Sequence, residues 1–408
     1  MLAYLLVATE EFTKIRKSKP VILASSIIWL LVADLAIKKH GFSKEQIENL
    51  IRHSLMEYGE LLLFLLVSMT YTNALVERQV FEKIRYALIL QGFNYRHLFW
   101  MTGFIAFFLS TIANNLTTAM VMGAVILSCG RENREFIKLS FINIVIASNA
   151  GGVFSPFGDV TTLMVWQAGK VEFSQFLILF LPALVNFIIP ALVFSFFIPS
   201  ACPVARSETP VHLKKGAVVI AVLFFITIVI AVVCEEILYI PPFMGMMSGL
   251  ALLMATSYWL KSNEKAYDIF INIKNSEWDT LLFFYGIIFC ISGLAEIGYL
   301  EMASRLIYQD GNFTLANTWV GLLSAIVDNI PVMFSVLEMQ PPMDLKQWLL
   351  VTLTSGVGGS LLSIGSAAGV ALMGQSRGLY SFASHLKWLP VIALGYAASI
   401  YAHLWLYQ

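Results

Sequence analysis

Ser148-Asn-Ala-Gly-Gly-Val-Phe-Ser-Pro-Phe-Gly-Asp-Val-Thr-Thr-Leu-Met-Val-Trp166 lies inside an apolar stretch that runs from residue 137 to 168. A stretch of that length can cross a bilayer, which takes about 20 apolar residues as helix. Its middle, however, holds Gly151, Gly152, Pro156, Gly158 and Asp159. Proline has no N–H to offer the helix and glycine is a poor helix former, so the stretch reads as a membrane helix unwound at mid-depth. Lipid cannot satisfy the backbone groups that such a break frees. It is tolerated only where protein buries it or where it lines a cavity.

Three other stretches are interrupted in related ways. Residues 346–374 carry Gly358-Gly-Ser-Leu-Leu-Ser363-Ile-Gly365-Ser366 and read as a second broken helix. Residues 97–129 and 315–339 each consist of an apolar run, a polar tip and a shorter apolar run. The tips are Asn114-Asn115-Leu116-Thr117 and Asp328-Asn329-Ile330-Pro331, and each stretch reads as a re-entrant hairpin. Seven uninterrupted spans are expected at 20–37, 59–76, 174–198, 216–234, 243–260, 279–296 and 386–406. Plain span, linker, hairpin, broken helix and plain span therefore recur in that order, beginning near Glu60 and again near Asp279. The Gly-Gly pairs at 151 and 358 align, with Gly158 over Gly365 and Asp159 over Ser366. Five crossings separate the two hairpins, and an odd number places them on opposite faces. The fold expected is an all-α polytopic membrane protein of inverted repeats, each with a re-entrant hairpin and a broken transmembrane helix, the plan of many secondary transporters. Residues 1–58 form an N-terminal helix and amphipathic linker, 59–200 the first repeat, 201–278 connecting helices and 279–408 the second repeat.

Composition agrees with a bilayer as solvent. The chain is 58% hydrophobic and 13% charged over 408 residues, with a mean hydropathy of +0.76. Soluble domains carry about 25% charge. Lys plus Arg equals Asp plus Glu at 26 each, so nothing in the charge balance calls for a nucleic-acid partner. With the N-terminus in the cytoplasm, 19 of the 26 basic residues fall on the inner side, as the positive-inside rule requires, and the C-terminus lies outside. The cluster Lys38, Lys39, Lys44 and Arg52 argues the other way. Residues 1–8 are too short an apolar run for a secretory signal and lead into Glu10 and Glu11. The four cysteines are spaced for neither disulfides nor zinc. Gly245 and Gly249 form a GxxxG pair that reads as close helix packing. The glycine-rich run 356–369 lacks the GK[ST] of a phosphate loop. His385 reads as an interfacial histidine.

A charged Asp at the centre of a membrane helix costs about 2.5–3.5 kcal/mol on insertion scales, so Asp159 and Asp328 need compensation. Asn149, Ser155, Thr161 and Thr162 are available around Asp159. Asn329, Ser363 and Ser366 are available around Asp328, which predicts two oxygen-rich pockets suited to a hard cation. In such a pocket a carboxylate can trade a proton for a cation, since desolvation favours its neutral form and a bound cation its ionised one. Glu60 is a candidate for a proton path.

The Ser148–Trp166 run resembles the signature of NhaD-type sodium/proton antiporters. So do Val327-Asp-Asn-Ile-Pro-Val-Met-Phe334, the glycine-rich run 356–369, Asn115-Leu-Thr-Thr-Ala119 and Leu386-Lys-Trp-Leu-Pro-Val-Ile-Ala-Leu-Gly395. The resemblance covers the chain from about Glu60 onward. It implies cation-site or transport roles for Asn115, Asn149, Asp159, Thr161, Thr162, Asp328, Asn329, Ser363 and Ser366, with Asn114, Ser155 and Glu60 as candidate supports. Membership of the wider ion transporter superfamily implies scaffold and transport domains, often in a homodimer. One position departs: the first tip in that family usually opens on Asp, where this chain has Asn114, which removes one proton carrier.

The expected function is exchange of Na⁺, with Li⁺ as a further candidate, for H⁺ by alternating access in the bacterial inner membrane. Na⁺ would sit at the Asp159 and Asp328 pockets, and no cofactor is expected. The alternative is a sodium-coupled anion or carboxylate symporter of the same superfamily, which an Asp at a hairpin tip disfavours by repelling an anionic substrate. No nucleophile pair, HExxH or acid-rich magnesium motif points to an enzyme.

Overall fold

The structure is a computed structural model that describes residues 16–40, 43–130, 133–202, 210–263, 268–308, 311–376 and 378–407. The run 1–8 and five basic residues of the charge argument (Lys14, Arg131, Arg206, Lys265 and Arg377) lie outside the described residues. Among those described there are helices and no strands. In chain order the α-helices are α1 (Ser18–His40), α2 (Lys44–Glu77), α3 (Val80–Leu90), α4 (Tyr95–Leu109), α5 (Asn115–Gly130), α6 (Arg134–Gly152) and α7 (Val160–Gln167). A 3-10 turn at Phe173–Leu179 leads into α8 (Phe180–Phe196). There follow α9 (Ala217–Glu236), α10 (Pro242–Asn263), α11 (Ile269–Lys274), α12 (Trp278–Glu296), α13 (Tyr299–Tyr308), α14 (Phe313–Ser324) and α15 (Asn329–Met339). The chain ends with α16 (Leu345–Gly358), α17 (Ala367–Gln375), α18 (Phe382–Leu386) and α19 (Leu389–Trp405).

Among the described residues, six segments are long and apolar enough to cross a membrane: Ser18–Leu35, Glu45–Glu77, Phe173–Phe196, Ala217–Glu236, Pro242–Leu260 and Trp278–Glu296. Each overlaps an uninterrupted span expected from the sequence, but the second begins well before residue 59, because the stretch read as an amphipathic linker continues into it as one helix, α2. The seventh, 386–406, is the shorter apolar helix α19. All four interrupted stretches are interrupted in the structure: 110–114 separates α4 from α5, 153–159 separates α6 from α7, 325–328 separates α14 from α15, and 359–366 separates α16 from α17. The chain is a multi-pass membrane protein.

It divides into two compact units, 1–74 with 218–311 and 334–341, and 75–217 with 312–333 and 342–408. Each draws segments from both of the stretches 59–200 and 279–408. In the first unit α1 packs along α12, and Trp29 Nε1 donates to the Phe289 carbonyl at 2.9 Å. Gly245 and Gly249 do pack α10 closely on α9: a Cβ at Gly245 would stand 2.5 Å from Ala231 Cα, and one at Gly249 would strike the Thr227 side chain. The Tyr71 hydroxyl donates to the Gly249 carbonyl at 2.7 Å and meets Thr227 Oγ1 at 2.9 Å, which ties α2 to both helices.

In the second unit the pair α4–α5 packs on α6, α14 packs on α16, α17 lies against α5 and α8 runs along α19. The closest approaches are made by glycine, and they recur. A Cβ on Gly151 would land on the Phe107 carbonyl oxygen and one on Gly358 on the Gly321 carbonyl oxygen. One on Gly158 would strike the Ser110 carbonyl, and one on Gly365 the Ala325 carbonyl. The glycines that the sequence aligned thus meet backbone carbonyls in equivalent regions, at and just beyond the ends of α4 and α14, in register for Phe107 with Gly321 and one residue out for Ser110 with Ala325.

Candidate functional site

Both helix breaks end on a side chain that caps the next helix. Asp159 precedes α7 in extended conformation, and its Oδ1 accepts from the Thr161 backbone N–H and from Thr161 Oγ1, both at 2.9 Å. Ser366 plays the same part for α17, accepting from the Gly369 N–H at 3.3 Å. Capping satisfies an amide that has no partner in its own helix. It also sets the Asp159 charge at the positive end of the α7 dipole. The 4% exposure of Asp159 means that nearly all its compensation must come from protein groups.

The hairpin tips supply that compensation. Asn115 Nδ2 donates to Asp159 Oδ2 at 2.9 Å. From the other tip, Asn329 Nδ2 stands 3.3 Å from both Asp159 oxygens. Asn115 Nδ2 also reaches Asn149 Oδ1 at 3.3 Å, while Asn149 Nδ2 donates to Ser366 Oγ at 3.0 Å. Two glycines leave the room. A Cβ on Gly152 would come within 2.6 Å of Asn115 Oδ1, and one on Gly356 would stand 3.8 Å from Asp159 Oδ2. All of these residues belong to one compact unit.

This geometry revises the expectation of two separate pockets. Asn329, assigned from the sequence to the Asp328 pocket, binds Asp159, and Ser366 binds Asn149. The two breaks and the two tips meet, so their polar groups form a single cluster centred on Asp159. Asp328 is half-buried and close enough for its charge to act on Asp159. Three other sequence candidates turn to other partners. Ser363 Oγ contacts Met373 Sδ at 3.4 Å and the Tyr380 hydroxyl, Thr162 Oγ1 donates to the Val153 carbonyl at 3.2 Å, and Ser155 Oγ accepts from the Phe157 N–H at 3.3 Å. Glu60 lies in the other compact unit. His385 is fully buried within the protein: its ring meets the Tyr380 hydroxyl at 2.7 Å and, in the second break, the Ser360 carbonyl at 2.9 Å.

Asn114 has a local task, its Oδ1 accepting from the Thr117 N–H at 2.7 Å where α5 begins. Asn and Asp cap helices equally well. Asn114→Asp is therefore expected to melt within about 2 °C of the parent protein, as measured on detergent-purified protein. A larger fall would show that the tip rejects the charge. One site residue escaped the sequence reading: Ser110, fully buried, donates from Oγ to Asn115 Oδ1 at 2.6 Å. Its signal was a hydroxyl five residues before the tip asparagine in both hairpins, Ser110 before Asn115 and Ser324 before Asn329.

A capped, fully desolvated carboxylate ringed by carboxamides that can turn either oxygen or nitrogen toward it is a site for a small cation or a proton. Comparison with known proteins agrees with that chemistry. The model of the citrate transporter family, CitMHS, matches residues 4–358. Over its whole length the chain is 51% identical to the Na⁺/H⁺ antiporter NhaD of Alkalimonas amylolytica, covering 89% of that protein. It is 52% identical to the protein of the same name from Vibrio cholerae, with 99% of this chain and 89% of the relative covered. With Sodium/proton antiporter 1 of Arabidopsis thaliana it shares 30% identity over 97% of this chain and 69% of the relative. Half the residues are thus kept across almost the full length of both bacterial proteins, and the chain belongs to the citrate transporter family and to the NhaD-type Na⁺/H⁺ antiporters.

Proposed function

We propose that the chain exchanges Na⁺ for H⁺ at Asp159 by alternating access. The observation that carries this reading is the convergence of Asn115 and Asn329, one from each hairpin tip, on a single buried carboxylate. One carboxylate among neutral amides and hydroxyls suits a monovalent ion, since hard cations take oxygen ligands and each added charge raises the demand for carboxylates. Na⁺ and H⁺ compete for the same oxygens, so loading one expels the other, which is the basis of coupling. Li⁺, with the same charge and a smaller radius, is expected to be accepted. Asp328 gives the site a second acid through which the proton can enter or leave. Matching glycine contacts in the two halves support an inverted-repeat plan in which the hairpins enter from opposite faces. The bacterial inner membrane, with the N-terminus in the cytoplasm and a homodimer as the working form, completes the proposal.

The test is reconstitution of the full chain in liposomes carrying a pH-sensitive dye. An outward Na⁺ gradient should acidify the lumen and a Li⁺ gradient should do the same, whereas K⁺ at equal concentration should do so weakly. Sodium-driven uptake of a labelled carboxylate without proton countertransport would instead establish the symporter alternative.

A further inference from the structure

Ser110 is the residue to which the structure gives a role that neither the family likeness nor the exchange reading assigns. Its hydroxyl donates to Asn115 Oδ1 at 2.6 Å, and this bond turns the other end of the same amide, Nδ2, toward Asp159 Oδ2 at 2.9 Å. An ionised carboxylate accepts only, so with no cation present the nitrogen must face it. A cation between them reverses the demand, because it needs the Asn115 oxygen. The amide must then rotate by half a turn about its last side-chain bond, which points Nδ2 at Ser110.

A hydroxyl is one of the few groups that serves both states, donating to Oδ1 in the first and accepting from Nδ2 in the second. On that side the amide oxygen also lies beside Gly152, which has no side chain to offer it, and Ser110 is fully buried. The second hairpin is built differently. Ser324, which holds the matching place before Asn329, donates to the Ser355 carbonyl at 2.6 Å and so fixes backbone.

We infer that Ser110 is a positioning residue whose hydroxyl reverses its hydrogen-bond direction so that the Asn115 amide can turn from donor on empty Asp159 to oxygen ligand of the bound cation. This rests on the exchange reading above. Removing the hydroxyl strands a buried N–H in the loaded state and a carbonyl oxygen in the empty one. Orphaned buried N–H groups are the rarer and costlier of the two, so loading suffers more.

Full-length Ser110→Ala and Ser110→Thr are compared with the parent protein in liposomes, and the purified proteins are melted across a Na⁺ series. Ser110→Ala is expected to raise the half-saturating Na⁺ concentration roughly fivefold or more, with maximal rate at saturating Na⁺ retained. The Na⁺ needed to shift the melting midpoint should rise in step. Ser110→Thr keeps the hydroxyl and should recover most of the loss. If Ser110→Ala does not accumulate, Ser110→Cys is read in its place, since a thiol is a much weaker hydrogen-bonding group. An unchanged Na⁺ dependence overturns the inference, as does a Thr variant as impaired as Ala, which would make volume the cause. Failure of the parent protein to exchange Na⁺ for H⁺ would instead sink the reading beneath it.

Discussion

Asp159→Asn is expected to abolish Na⁺/H⁺ exchange, by about a hundredfold or more, in protein that accumulates and melts close to the parent. The two halves of that expectation have separate causes. Asn has nearly the shape of Asp and caps helices as well, so its Oδ1 can still accept from the Thr161 N–H, which Asp159 does at 2.9 Å. The local fold at the start of α7 is kept. What goes is the negative charge, and with it both the attraction for Na⁺ and the group that carries a proton. The new Nδ2 takes the place of Oδ2, which accepts from Asn115 and Asn329, so both tip amides must turn their oxygens toward it. The informative contrast is Thr161→Val, which leaves the charge in place and removes a hydroxyl donor at 2.9 Å from Oδ1. It should slow exchange without abolishing it. The measurement is Na⁺-induced collapse of a preformed proton gradient in inside-out vesicles, with protein amount determined in the same membranes. A full response from Asp159→Asn would remove Asp159 from the transport mechanism.

Much of this site could be read from the sequence because membrane folding leaves so few explanations for polar residues in apolar runs. Gly151, Gly152, Pro156 and Asp159 within one span had to mean a break, and the break is there, at 153–159. The tips at Asn115 and Asn329 announced themselves as polar pairs, Asn114-Asn115 and Asp328-Asn329, between two apolar arms. The pairing between elements was hidden. Nothing along the chain says that Asn329 lies beside Asp159, 170 positions away, rather than beside its neighbour Asp328. Reading each break with its nearest tip in sequence therefore divided one cluster into two pockets. Ser363 was misleading for a related reason. It has the right residue type and lies in the right segment, but in an unwound stretch successive side chains point in directions that no helical or strand period fixes, and it faces Met373 and Tyr380. Ser110 was missed because a serine on an apolar arm most often bonds its own helix, as Thr102 does with the Leu98 carbonyl at 2.8 Å.

Gly358→Ala and Gly151→Ala are expected to be among the most damaging single-methyl changes in the second compact unit, and to be damaging alike. In both cases the added carbon would coincide with a backbone carbonyl oxygen, Gly321 for the one and Phe107 for the other. A side chain in the way can rotate, but a helix backbone can yield only by moving its whole segment. Overpacking in a well-filled interior costs about 1–3 kcal/mol and occasionally more, and an obstacle of backbone belongs at the upper end. Displacing α14 would also break the bond from Ser324 Oγ to the Ser355 carbonyl, 2.6 Å long and wholly buried. Displacing α4 would carry Ser110 and the first tip away from Asp159. Gly356→Ala serves as a milder comparison, because the first atom its Cβ would meet is the Val153 side chain. Gly374→Ala serves as the control: nothing lies within 4 Å of its Cβ position, and alanine favours the helix. Detergent-solubilised yield and melting midpoint should therefore fall steeply for Gly151→Ala and Gly358→Ala, less for Gly356→Ala, and hold or rise for Gly374→Ala. Equal damage at 151 and 358 means that both hairpins press on their broken helices through the same contact, so each tip asparagine is held at the shared carboxylate by the same packing. Damage at one position and tolerance at the other would show that the two halves are alike in sequence pattern but not in how they hold the site.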